Sequence, residues 1–158
     1  MDWKALFLNA DGRIGRRDFW VGWLVLFVAG IFLGLIPLIH VIVWLLLIWP
    51  SVCIYSKRLH DMGRTGWLQL IPFVVTVVAS VVAVVIGGVA AIGVATGGFH
   101  GLGVAAVLGP IGVLALIVVV ANLGFLLWIG LSPGRLGPNV YGPPPISLTG
   151  PPPAPSAT

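Results

Sequence analysis

The chain has 158 residues, of which 59% are hydrophobic and only 8% charged, with a formal net charge of +4 and no glutamate. A soluble domain carries about 25% charged residues, so this composition excludes a water-solvated globule and makes a bilayer the expected solvent. The excess of Lys and Arg flanks apolar runs, so membrane threading explains it better than nucleic acid does; nucleic acid is not an expected partner.

The N-terminal stretch MDWKALFLNADGR places Trp3, Leu6 and Phe7 at helical spacing, followed by the breakers Asn9, Asp11 and Gly12. Residues 1–18 are expected to form a cytoplasmic segment with a short interfacial helix. From Phe19 to Tyr55 there is no Asp, Glu, Lys or Arg, and none from Thr65 to Gly134. About 20 helical residues cross a hydrocarbon core of about 30 Å, so each block holds two crossings. Pro37 divides the first block and the Gly-rich stretch 92–103 divides the second. The expected spans are about 19–36, 38–58, 67–92 and 108–131, a membrane domain over 19–131. The fold class is therefore all-α, a polytopic four-helix membrane bundle. The first apolar run is longer than the h-region of a signal peptide and lacks a cleavage site, so it is expected to stay.

Four spans put every Lys and Arg on one face. Lys4, Arg13, Arg16 and Arg17 precede the first span, Lys57, Arg58 and Arg64 lie between the second and third, and Arg135 follows the fourth. The positive-inside rule makes that face, and both termini, cytoplasmic. Trp20, Trp23, Tyr55, Trp67 and Trp128 fall near the same interface, as anchoring rings do.

Small residues mark packing faces. Ala79, Ala83, Gly87, Ala91 and Ala95 recur every four residues in the third span, and Gly30 and Gly34 form a shorter version in the first. They would let neighbouring helices approach closely, within the bundle or in a homo-oligomer. Between Gly87 and Gly109 the chain either tilts or re-enters, and Pro110 suits the first turn of the fourth helix. Residues 132–142 form a cytoplasmic motif. Residues 143–158, with seven prolines and no charge, read as a disordered Pro-rich tail.

Chemistry-bearing residues are few. His60 and Asp61 are neighbours, which on a helix point about 100° apart and cannot form a dyad. Cys53 is alone, no nucleophile sits beside His60, and the only carboxylates are Asp2, Asp11, Asp18 and Asp61. Neither an enzyme nor a cofactor is expected. His40 and His100, expected near the outer surface, do not make a four-ligand metal site. No ionisable group falls at mid-depth; Ser51, Thr76, Ser80 and Asn122 are the polar exceptions. That disfavours ion-coupled transport and leaves a small-solute transporter or channel as the alternative to a binding or scaffold protein. In the preferred reading Arg13, Arg16, Arg17, Arg58, His60, Asp61, Arg64 and Arg135 form a cytoplasmic cluster. Asp61 is expected to pair with an arginine of residues 12–20. The remaining arginines would engage anionic headgroups or another membrane protein.

Three stretches carry a resemblance. GRIGRRDFW (12–20), KRLHDMGRTGW (57–67) and PGRLGPNVYGPPP (133–145) resemble, in order and spacing, the family of domain of unknown function 805, the YhaH-like small bacterial inner-membrane proteins. The matching positions are Gly12, Arg13, Arg16, Phe19, Trp20, Arg58, His60, Asp61, Gly66, Trp67, Gly134, Gly137, Asn139 and Gly142. The resemblance implies a multi-pass bacterial inner-membrane protein and brings no reaction.

Overall fold

A computed structural model describes residues 3–36, 40–97 and 102–145. The chain is α-helical: α1 (Trp3–Leu8), α2 (Arg16–Gly34), α3 (His40–Asp61), α4 (Leu70–Ala95) and α5 (Leu102–Leu131), with a 3-10 turn at Gly66–Gln69 before α4. Among the described residues the only extended pairing is an isolated bridge between Asn139 and Gly142. Three helical stretches are long and apolar enough to cross a membrane, Arg16–Gly34, Gly66–Ala95 and Ala106–Leu131.

The chain divides into two compact units, one formed by residues 1–66 with 132–158 and the other by 67–131. In the first, α2 and α3 pack as a hairpin and α1 lies on α3. In α2, Phe19 and Gly22 are buried and Trp23, Leu26, Ala29, Gly30 and Gly34 are among the half-buried positions, a helical spacing that keeps one face on a partner. Phe19 is fully buried and meets Tyr55 edge to face, centroids 5.5 Å apart. Gly30 packs on Leu47. Leu24, Val25, Phe27, Val28, Ile31 and Phe32 point outward, a greasy exterior that suits lipid and not water. In α3, Pro50 cannot donate to the helix ladder, and one residue on the Ser51 hydroxyl donates to Leu47 O at 2.8 Å.

In the second unit α4 and α5 form another hairpin. The polar groups predicted within hydrocarbon are satisfied locally. Thr76 Oγ1 donates to Pro72 O at 2.8 Å, Ser80 Oγ to Thr76 O at 2.8 Å, and Asn122 Nδ2 to Val118 O at 2.9 Å and to Thr76 Oγ1 at 3.0 Å.

Several expected boundaries move. The first helix starts at Arg16 rather than 19, because Gly15 is extended and caps it. The helix predicted to end at 58 runs on to Asp61, so His60 and Asp61 form its last turn rather than a loop. The last helix starts at Leu102 rather than 108 and holds Pro110 in its interior, not its first turn. Residues of low helix propensity stay helical where no water is available to bond an uncoiled backbone. The small-residue ladder also shifts. Ala79 is buried and Ala83 partly so, but Ala91 and Ala95 are exposed. A strict step of four drifts by about 40° each time around a 3.6-residue helix. A Cβ added to Gly87 would meet nothing within 4 Å, so close approach does not require glycine there. Pro37, His100 and the tail from residue 146 lie outside the described residues, as does the side chain of His40.

Candidate functional site

The end of α3 collects all three sequence stretches. The helix closes with a Schellman arrangement. Gly63 takes φ +69, Gly63 N donates to His60 O at 2.9 Å and Arg64 N to Leu59 O at 2.9 Å. Met62 N donates to Arg58 O at 3.3 Å. The remaining carbonyl, Asp61 O, accepts from Arg135 N at 2.9 Å, and His60 O also accepts Asn139 Nδ2 at 2.8 Å. The helix terminus, whose last carbonyls need donors, is thus completed by residues that lie more than seventy positions downstream.

Asp61 is the charge at the centre. Arg13 Nε and Nη2 lie 3.2 and 3.0 Å from its Oδ1, and Arg58 Nη1 donates to its Oδ2. The Arg13, Arg58 and Asp61 side chains are 1%, 0% and 5% exposed. Arg58 and Asp61 are three residues apart on one helix face. Arg58 Nη2 continues to Ser132 O. Arg13 spreads further: Nη1 donates to Gly137 O at 2.8 Å and Gly142 O at 3.3 Å, and Nη2 also to Arg135 O. A guanidinium has five N–H donors in a rigid fork, and here they knit the N-terminal segment, the α3 end and the 132–142 segment into one clasp.

His60 completes it. Its ring stacks on Tyr141, centroids 3.8 Å apart and planes 3° off parallel. Its Nδ1 is 3.2 Å from Gly12 O, a contact in which the ring nitrogen must carry the proton and donate. Burial pushes the imidazole pKa down, with the Gly12 carbonyl and Asp11 opposing. Three glycines are set by space, one of them Gly63, where a Cβ would stand 2.5 Å from Arg135 Nε. A Cβ on Gly134 would stand 2.0 Å from Asp61 Oδ2, and one on Gly66 2.7 Å from Ser56 Oγ.

The predicted cluster therefore separates into two groups. Arg13, Arg58, His60 and Asp61 are brought together and face one another. Arg16, Arg17, Arg64 and Arg135 are exposed, although Arg64 and Arg135 sit in Gly-Arg-x-Gly runs like that of Arg13. Sequence reasoning missed Asn139 as a staple and the Ser132, Gly137 and Gly142 carbonyls as acceptors for the arginines. It also missed Lys57, which is buried and whose Nζ donates to Ala5 O. The Arg58–Asp61 spacing was a readable signal for one half of the triad.

The family described as "Protein of unknown function (DUF805)" matches residues 7–143. The chain belongs to this family. All three segments of the clasp fall within the matched region. The protein is also similar to "Uncharacterized protein YiiR" of Escherichia coli K12, 41% identical over 63 residues, which cover 35% of this chain and 42% of that relative. YiiR of Escherichia coli O157:H7 gives the same identity and coverage. The match thus spans less than half the length of these relatives. No solved structure matches.

Proposed function

We propose that the protein is a multi-pass bacterial inner-membrane protein that acts as a lipid-interacting scaffold, with α2, α3, α4 and α5 as four spans and both termini cytoplasmic. In this reading α3, with 22 residues and about 33 Å of rise, is the fourth crossing beside the three apolar stretches. The absence of Lys and Arg from the connections on the opposite side, 35–39 and 96–101, supports the orientation.

The observation that carries the reading is the division of the arginines. Arg13 and Arg58 spend their guanidiniums inside the clasp, so the clasp is architectural. Arg16, Arg17, Arg64 and Arg135 are exposed residues of the same unit, with the Arg135 side chain lying across Gly63. Basic groups at a leaflet surface gain about 1 kcal/mol each from anionic lipid. Replacing all four by Gln should lower retention of anionic lipid in purified protein, with zwitterionic lipid unchanged, in preparations whose helical circular dichroism matches wild type. Lipid analysis by mass spectrometry reads this directly. Equal anionic lipid in wild type and the quadruple variant overturns the proposal.

A further inference from the structure

We infer that α1 is a wedge sunk into the inner leaflet, with lipid acyl chains covering its outer face. The inference rests on the reading that α2 and α3 span the bilayer with the clasp at its cytoplasmic surface.

Depth is the first argument. Leu6, 4% exposed, contacts the α2 groove at Gly22: a Cβ built there would lie 3.3 Å from Leu6 Cδ2 and 3.4 Å from Ile54 Cγ2. Gly22 is six residues into α2 and Ile54 seven residues from the end of α3, so both sit about 9–10 Å along the helix axes from the clasp. With 19 residues, α2 rises only about 28 Å and needs its whole length to cross. A contact at Gly22 is therefore below the surface.

The carbonyls are the second argument. α1 has six residues, so most of its backbone acceptors have no partner within the helix. Two of them are met by side chains of α3. Lys57 Nζ donates to Ala5 O, and Trp49 Nε1 donates to Leu8 O at 3.2 Å. Lys57 is rooted about 6 Å from the end of α3 and Trp49 about 18 Å, so α1 descends from Ala5 to Leu8. Side-chain donors for these carbonyls matter most where water cannot supply hydrogen bonds. The chain then turns back. Asp11 N donates to Asn9 Oδ1 at 2.7 Å, and Gly12 at φ +91 returns the backbone to His60 and Asp61.

The outer face supplies the third argument. Trp3 is 48% and Leu8 62% exposed. Like the exposed apolar residues of α2 and α3, they have lipid as their neighbour in this reading.

Nitroxide accessibility in liposomes tests the wedge. In a Cys53→Ala background, Leu8→Cys and the α2 reference Val25→Cys are labelled separately, and relaxation by oxygen is compared with relaxation by a water-soluble nickel chelate. Oxygen is expected to dominate several-fold at both sites. Adding Lys57→Met is expected to shift the Leu8 label several-fold toward nickel. Nickel dominance at Leu8 with oxygen dominance at Val25 overturns the wedge and leaves the spans standing. Protection of Leu8 from both reagents, as under a protein partner, overturns it as well. Nickel dominance at both sites removes the span reading together with the wedge. If Leu8→Cys does not fold, Trp3→Cys at the other end of α1 carries the same comparison.

Discussion

Arg13 crosses 48 residues of sequence to place Nη2 3.0 Å from Asp61 Oδ1, and both side chains are almost completely shielded from solvent. Arg58 grips the other carboxylate oxygen. Removing the anion leaves two guanidiniums buried against each other, the expensive way to break a buried ion pair. Asp61→Asn is expected to lower stability by about 3–5 kcal/mol, read from thermal or denaturant unfolding in detergent. Arg13→Lys is expected to recover little of an Arg13→Ala loss, because an ammonium has no fork to reach Asp61, Gly137 and Arg135 together. Full recovery by Lys would reduce Arg13 to a point charge.

Gly134 and Gly137 bracket the same arginine and should differ sharply. A methyl group on Gly134 collides with the Asp61 carboxylate at 2.0 Å, whereas one on Gly137 meets nothing within 4 Å. Gly134→Ala should therefore approach the cost of Asp61→Asn, and Gly137→Ala should stay within about 0.5 kcal/mol of wild type. Equal unfolding midpoints for the two variants would show that the clasp accommodates bulk at Asp61.

His60 makes the clasp sensitive to acid. Burial holds its pKa below the ordinary histidine value of about 6.5. Below that pH the unfolded chain takes up a proton that the folded chain resists. His60's contribution is thus fully present above about pH 6.5. It falls as the pH drops toward the folded value, and the loss levels off below it. The unfolding midpoint of wild type should decline between neutrality and pH 5.5, and His60→Gln should flatten that decline. The same slope in the variant would assign the titration elsewhere.

Much of this was legible. Charge-free blocks announce helices apolar enough for a membrane, because the bilayer tolerates little else. The expectation that Asp61 meets an arginine of residues 12–20 agrees with the Arg13 contact. Less legible was the division among the arginines: Arg13, Arg64 and Arg135 each sit between glycines, yet Arg13 reaches the Asp61 carboxylate while Arg135 lies across Gly63. The other partners of Arg13 are backbone carbonyls of Gly137, Gly142 and Arg135, and a carbonyl leaves no mark in residue identity. Lys57 misled for the same reason. Topology accounted for its charge, while its contact is the Ala5 carbonyl of a short helix. The end of α3 was placed three residues early because KRLHD reads as a polar loop, although Arg58 and Asp61 stand at helical spacing.

Asn139 offers the sharpest probe of how the 132–142 segment is held. Its Nδ2 donates to His60 O at 2.8 Å, and its Oδ1 accepts from Tyr141 N at 2.9 Å. One side chain thus ties the segment to α3 and shapes the turn that stacks Tyr141 on His60. Asn139→Asp keeps the acceptor for Tyr141 but cannot donate, and it sets a negative charge against the His60 carbonyl. It should therefore be worse than Asn139→Ala, which forfeits about 1 kcal/mol per hydrogen bond. Arg135 lies inside the segment and is exposed, so trypsin reports its release. Opening that is easier by 1.4 kcal/mol corresponds to about tenfold faster cleavage after Arg135 when reclosing is fast. Cleavage should rise at least that much in Asn139→Ala and further in Asn139→Asp. Cleavage at the wild-type rate in both would mean that Arg13, Arg58 and the Arg135–Asp61 backbone bond hold the segment against α3 without Asn139.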